Sequence, residues 1–400
     1  MSEAVNIPQL RFPEFNGAWE EKKLGEVVRY TKGFAFKSND YVDSGVRIIR
    51  VSDLGAESIK KDNKSIYLSS ENEHLYDKWK IRKNNIVITT VGSNPDLIES
   101  AVGRGIFIIN DNEGLLNQNM LKLENSTQVN NKFVHCFINS PKYIHHIKAI
   151  KRGNANQANI TVKELLDFKL SITTKPEQQK IAAFLNAVDT KIEQLSKKQE
   201  LLGEYKKGLM QQIFSQAIRF KADDGCDFPD WKEKKLGGVG RIRKGSQLNK
   251  SELTDTGDYP AINGGINPSG YTDKWNTGKN TITISEGGNS CGYINFITSK
   301  FWSGGHCYSI EELKGDVLNR FLFQYLKFNE HLIMRLRVGS GLPNIQKGEI
   351  NNFKVNLPSL EEQTKIANLL SSIDSKIEQV GKQLRESKQF KKALLQQMFV

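Results

Sequence analysis

Long apolar runs are missing from this 400-residue chain. None approaches the ~18 consecutive apolar residues that span a bilayer, and no basic stretch followed by an apolar one opens the sequence. A membrane span and a secretory leader are therefore not expected, and the protein is read as cytoplasmic. Cysteine is scarce. Cys136, Cys226, Cys291 and Cys307 lie far apart with no Cys-x-x-Cys pair, which argues against a disulfide framework and a zinc site and for plain reduced thiols. Acidic residues fall short of basic ones, 45 against 57, leaving a formal charge of +12. That excess suits a polyanionic partner, because lysine and arginine displace counterions from phosphates, although charge alone does not establish one.

Catalytic patterns are missing as well. The glycine pairs Gly264-Gly265 and Gly287-Gly288 lack the Gly-x-Gly-x-x-Gly spacing or the lysine needed to cradle a cofactor or phosphate. Asn94-Pro95-Asp96 faintly resembles the Asn-Pro-Pro-aromatic loop of amino methyltransferases but has no aromatic residue to stack on a flipped base. Pro229-Asp230 followed by Glu233-Lys234-Lys235 has its acidic residues too close together for a nuclease strand pair. The six histidines, including His145-His146, form no metal-ligand spacing.

What the chain does have is a duplication. Trp19-Glu20-Glu21-Lys22-Lys23-Leu24-Gly25 returns as Trp231-Lys232-Glu233-Lys234-Lys235-Leu236-Gly237, preceded by Phe12-Pro13-Glu14 and Phe228-Pro229-Asp230. Lys32-Gly33 matches Lys244-Gly245 at the same offset of 212. A second match aligns 159–214 with 344–399 at an offset of 185, without gaps and with 23 of 56 positions identical. Chance does not produce this. The offset drops by 27, so the first copy carries that many extra residues between the two anchors, in a stretch where little similarity is visible.

Residues 177–214 contain no proline and place Ile181, Leu185, Val188, Ile192, Leu195, Leu202, Leu209 and Ile213 at a 4-3 spacing. Ile366, Leu370, Ile373, Ile377, Val380, Leu384, Leu394 and Met398 repeat it. This is a coiled-coil seam, interrupted by Gln199 and Lys206 in one copy and Ser387 and Lys391 in the other. A helix of that length reaches about 57 Å. Two such helices in one chain suggest antiparallel pairing with pseudo-two-fold symmetry, the alternative being that each helix packs only on its own domain. These arms carry +1 and +3 of the total charge, so most of the basic excess falls in the domains.

Between the anchors, β-rich runs such as 46–51, 85–90, 105–109 and 281–285 alternate with glycine and asparagine turns, and helices are expected at 131–138 and 317–328. The fold class is α+β, with two globular domains, each followed by a long helix: 1–175, the arm 176–217, 218–358 and the arm 359–400. Two polar loops in each copy attract attention. One follows a central strand, as Gly92, Ser93 and Asn94, and as Glu286, Gly287, Asn289 and Ser290. The other precedes the arm, as Asn154, Asn156 and Gln157, and as Ser340 and Asn344. Asparagine and glutamine can pair bidentately with adenine, while Lys151, Arg152, Arg335 and Arg337 can bind phosphates. Lys32, Lys37, Lys244 and Asn263 complete the DNA-contact candidates. For any one of these the competing reading is an ordinary turn former.

The anchors, the Gly-Ser-Gly-Leu-Pro-Asn-Ile run at 339–345 and the Glu-Gln-x-Lys-Ile-Ala blocks at 177–182 and 362–367 resemble the specificity (S) subunits of type I restriction-modification enzymes. The likeness covers essentially the whole chain. It implies two target-recognition domains, each reading half of a bipartite asymmetric double-stranded DNA site, with the paired helices setting the spacer. It also implies docking of two methyltransferase (M) subunits, with Gln178, Lys191, Gln194, Gln363, Lys376 and Gln379 as candidates on the helices, and of up to two restriction (R) subunits through them. S-adenosylmethionine, ATP and Mg2+ would belong to those partners, leaving this chain noncatalytic, without a cofactor or metal of its own. A methyltransferase or nuclease fused to its reader, and a coiled-coil scaffold for proteins, are the alternatives. The loop 153–157 departs from the glycine-serine form of its counterpart.

Overall fold

The computed structural model describes residues 6–399 apart from 62, 98, 99, 125, 127, 128, 155, 156 and 340, and apart from the side chain of Asn154. It divides into two compact units, residues 1–194 with 384–400, and residues 195–383. The division falls within both long helices, Lys175–Phe214 and Leu360–Gln397. It follows packing and so does not coincide with the four segments drawn in sequence order.

The first unit is built on an antiparallel sheet in the spatial order Arg29–Lys32, Met120–Glu124, Ile86–Thr89, Gly105–Phe107. Ile86, Ile88, Leu121 and Leu123 face Phe133, Val134, Tyr143 and Ile147, while Val87, Ile106 and Met120 on the other face meet Ile49, Leu54, Ile81 and Leu116. Burial on both faces explains why 86–89 reads as a continuous apolar run rather than an alternating one. A second sheet of five short strands, with Gly114–Leu116 parallel to Val46–Ile49, lies beyond it. The expected strand 46–51 stops at Ile49, because Asp53 accepts from the Arg50 amide at 2.8 Å and turns the chain into a short 3₁₀ segment.

The second unit repeats the order: Arg241–Lys244, Cys307–Glu311, Thr281–Ser285, Ile294–Ile297, all antiparallel. Its smaller sheet has three strands, again with one parallel pair, Tyr259–Ile262 beside Trp302–Ser303. The ladders make the diverged centres comparable. Lys32 opposes Leu121 as Lys244 opposes Tyr308, and Thr89 opposes Met120 as Ser285 opposes Cys307. Lys32 and Lys244 differ by 212 in number, Thr89 and Ser285 by 196, and Leu121 and Tyr308 by 187. Most of the extra residues of the first unit therefore precede Thr89, where the 3₁₀ run Ser70–Trp79 and the strand Lys80–Ile81 are found.

The repeated motifs prove to be fasteners. Glu177 is buried and takes two hydrogen bonds from Arg11, at 2.7 and 2.8 Å; Glu362 is buried and takes two from Arg219, at 3.2 and 2.8 Å. Lys180 sits over the ring of Phe12 and Lys365 over that of Phe228, 4.7 and 5.6 Å from the centroids. Trp19 packs against Phe399 at the end of one arm, and Trp231 against Phe214 at the end of the other. The amide of Asn130 donates to Gln178 at 2.9 Å, and that of Leu318 to Gln363 at 2.7 Å, each glutamine also donating to a backbone carbonyl before its helix. Both glutamines are fully buried. The expectation that Gln178 and Gln363 meet a partner is thus corrected: their amides satisfy buried backbone groups that would otherwise be orphaned.

In each unit the start of one arm lies against the end of the other, an antiparallel pairing. Ile181 and Leu185 share a core with Leu394 and Met398; Ile366 and Leu370 share one with Met210 and Ile213. The polar interruptions are satisfied there. Lys391 meets Asp189 at 2.6 Å, which also holds Lys132 at 2.8 Å. Lys206 meets Asp374 at 2.6 Å, which also accepts from Gln324 at 2.7 Å.

Candidate nucleic-acid interface

The two polar loops of each unit, separated by some sixty residues in sequence, are joined by backbone hydrogen bonds. In the first unit Val91 and Gly92 pair with Asn159 and Ala158, and Gln157 turns back to Asn154, giving a three-stranded ribbon. In the second, Gly287 pairs with Asn344, and Gly288 donates to the Pro343 carbonyl at 3.0 Å. The register is common to both: Ile160 donates to the Thr90 carbonyl at 3.0 Å, and Ile345 to the Glu286 carbonyl at 2.8 Å. A third loop joins in the second unit, where the Ser290 hydroxyl donates to the Gly264 carbonyl at 2.6 Å and the His306 amide to Asn263 at 3.1 Å.

On these platforms Arg152, Gln157, Asn289, Arg337 and Asn344 are exposed, while Asn94, Asn263 and Ser290 are half-buried. Asn94 accepts from the Asp96 amide at 3.3 Å, holding its own turn. Ser93 donates its amide to the Ser100 carbonyl at 3.0 Å. Arg152 leans on Glu164 at 2.7 Å yet keeps more than half its side chain in solvent. Asn156 and Ser340 lie outside the described residues, as does the side chain of Asn154.

Glu286 is the most constrained of the set. Its carboxylate lies 2.6 Å from Lys244, 3.0 Å from the Tyr308 hydroxyl and 3.4 Å from His306. Burial pushes its pKa up, but hydrogen bonds from Lys244 and Tyr308 and the Lys244 charge outweigh that and hold it below the usual carboxylate range. Lys244 and Glu286 thus form one neutralised pair. The equivalent of Glu286 in the first unit is Thr90, and Lys32 there is an exposed cation at the rim of a cleft of about 320 Å³ with Lys23, Tyr30 and Lys163. A corresponding cleft of about 380 Å³ in the second unit is lined by Arg241, Lys314 and Lys347.

One glycine among the loop candidates has a steric role. A Cβ on Gly92 would lie 2.3 Å from the Ser100 carbonyl oxygen, so only glycine lets those backbones approach. The same reason underlies the repeated Lys-Gly pair: a Cβ would lie 1.8 Å from the Asn117 oxygen at Gly33 and 2.2 Å from the Gly304 oxygen at Gly245. Gly287 is less crowded. Lys37 is exposed at the start of a 3₁₀ turn. Lys191, Gln194, Lys376 and Gln379 are exposed on the arms. Tyr308 carries no signal in the sequence and His306 reads there as an ordinary polar residue, because only the fold carries them to Glu286.

The family of type I restriction modification DNA specificity domains matches residues 16–202 and 229–386, the two copies in turn. The chain belongs to that family. A putative type I specificity subunit of Mycoplasma pneumoniae is 31% identical over 172 residues, 42% of this chain and 46% of that protein. Another from Mycoplasma genitalium is 32% identical over 38% of this chain and 40% of its own length, so the chain spans under half of these two specificity proteins. The putative type I restriction enzyme MjaX specificity subunit of Methanocaldococcus jannaschii is 25% identical over 98% of this chain and 95% of that protein. In fold, the chain is similar to the crystal structure of a type I restriction-modification S subunit from M. genitalium, with a TM-score of 0.70 at 20% identity, covering 98% and 99% of the two chains. Among the described residues no helix is long and apolar enough to cross a membrane, and no group of three or more His, Cys, Asp or Glu is placed to hold a metal ion.

Proposed function

We propose that the chain selects the DNA sequence on which a type I restriction-modification complex acts, each unit reading one half of a bipartite, asymmetric double-stranded site. The observation that carries this is the common register of the joined loops, Val91 with Asn159 and Gly287 with Asn344, on frames whose presented side chains differ. A shared frame with private loops is what two different half-sites require.

The target-recognition domains are 1–175 and 218–358, and the arms 176–217 and 359–400 set the spacer. Arg152 and Arg337, exposed at the start of the two hairpins, hold phosphates. Asn94, Asn154, Asn156 and Gln157 in one unit, and Asn263, Asn289, Ser290, Ser340 and Asn344 in the other, present the hydrogen-bonding groups for base edges. Lys191, Gln194, Lys376 and Gln379 belong to the surface on which two methyltransferase subunits dock, with restriction subunits joining through them. The chain performs no catalysis; methyl transfer and cleavage belong to the partners.

Exchanging 20–158 for the corresponding segment of another family member tests this. Methylome sequencing of cells carrying the hybrid with its methyltransferase partner should report one altered half-site and one retained. Alteration of both would overturn the modular reading. Methyl transfer from S-adenosylmethionine to DNA by the purified chain alone would overturn the noncatalytic assignment.

A further inference from the structure

Leu342 is 86% exposed, more than any other large apolar side chain among the described residues. The platform of the second unit holds the backbone on either side of it. The Val338 and Asn344 backbones exchange hydrogen bonds of 2.8 and 3.0 Å, closing the turn that carries it. Pro343 follows and restricts its backbone to extended conformations, and the Pro343 carbonyl is tied to Gly288 at 3.0 Å. Among the described residues Leu342 contributes to neither hydrophobic cluster of its unit. Its neighbours on the turn, Arg337, Val338 and Asn344, are exposed, and Asn289 is exposed beside Gly288.

The common register identifies the corresponding residue of the first unit. Counted back from the equivalent Asn159 and Asn344, Leu342 occupies the place of Gln157, which is also exposed; the second hairpin closes one residue shorter, with Val338 on Asn344 where the first pairs Arg152 with Asn159. A glutamine here presents a hydrogen-bonding amide, suited to adenine; a leucine presents only methyl groups. The one apolar feature of a major-groove base edge is the C5 methyl of thymine.

Resting on the half-site reading above, we infer that this position determines specificity in both units, and that Leu342 recognises a thymine in the second half-site by packing against its 5-methyl group. Phosphate contact by Arg337 holds the turn at the groove, and the rigid Gly288–Pro343 connection fixes how deep the side chain enters.

The test uses the chain assembled with its methyltransferase partner and a duplex bearing the target defined by methylome sequencing. Each thymidine of the second half-site is replaced in turn by deoxyuridine, which removes only the methyl group. At one position affinity should fall about fourfold, the worth of one buried methyl. The complex with Leu342→Ala should lose that sensitivity while still responding normally to changes in the first half-site. Leu342→Gln should alter preference in the second half-site alone, and Gln157→Leu in the first alone. Equal sensitivity to deoxyuridine in wild type and Leu342→Ala, or a second half-site lacking any thymine whose methyl matters, overturns the inference and leaves the half-site reading standing. Failure of the wild-type complex to discriminate its target from scrambled duplex would instead overturn that reading.

Discussion

Arg219 and Glu362 illustrate how much of this sequence is spent on fastening. The carboxylate is buried with two guanidinium hydrogen bonds, and Arg11 with Glu177 does the same in the other unit. Removing one partner strands a buried charge, so Arg219→Ala should cost about 3–5 kcal/mol. Urea denaturation would measure it; a loss under about 1 kcal/mol would mean that water reaches Glu362 and the pair acts as an exposed one. Gly33→Ala is predicted to destabilise by more than about 2 kcal/mol, because the new carbon would press on the Asn117 carbonyl rather than on a side chain that could move aside. Thermal unfolding of Gly33→Ala beside Gly17→Ala controls for the loss of glycine as such: Gly17 has open space around it but a positive φ. A larger shift at Gly33 than at Gly17 is expected.

Along the arms, the charges at the seam determine which segments may meet. Asp189 is half-buried between Lys132 and Lys391. Burial pushes its pKa up, yet hydrogen bonds and charge from the two lysines prevail, leaving it below the ordinary carboxylate value. A depressed native pKa means that the unfolded chain takes up the proton first as pH falls. The stabilisation is therefore complete above the unfolded value of about 4 and is lost as pH drops through the native one. Asp189→Asn should be less stable than wild type at pH 7, with the gap closing below about pH 4. Denaturation at a series of pH values would show it, and a gap that stays constant to pH 3 would mean that the carboxylate's charge is not what matters. Lys206 and Lys391 looked like defects in an apolar seam; paired with Asp374 and Asp189 they are sites where a shifted register would leave charges uncompensated.

For the molecule as a whole, the proposed spacer role makes a quantitative prediction. Seven residues inserted into each arm add about 10 Å of helix, or roughly three base pairs at the spacing of duplex DNA. Methylome sequencing should then return both half-sites unchanged with a longer spacer, and an unchanged spacer would refute the ruler. The duplication, the long helices and the α+β class were legible in the sequence because each has its own periodicity: identity at fixed offsets, apolar residues every three or four positions, and short β-branched runs. Helix ends came within a few residues; Lys175 begins one helix with Pro176 in its first turn. The fastening role of Gln178 and Gln363 was not legible, since a glutamine on a helix reads the same whether it faces solvent or caps a buried amide. Nor was the kinship of the central sheets, where Val87 stands in the place of Thr283 and the buried Lys122 in that of Ser309. Lys122 is accommodated by Glu124 at 2.9 Å and the Lys78 and Lys80 carbonyls, supplied by residues that the second unit lacks. The sequence by itself determined that there are two units, where their frames repeat and that helices follow them, because local periodicity and repeated identity survive without coordinates. Only the tertiary structure decided which loops meet and which residues correspond within the diverged centres, because β-pairing joins segments far apart in the chain and conserves hydrogen-bond register while leaving side chains free to change.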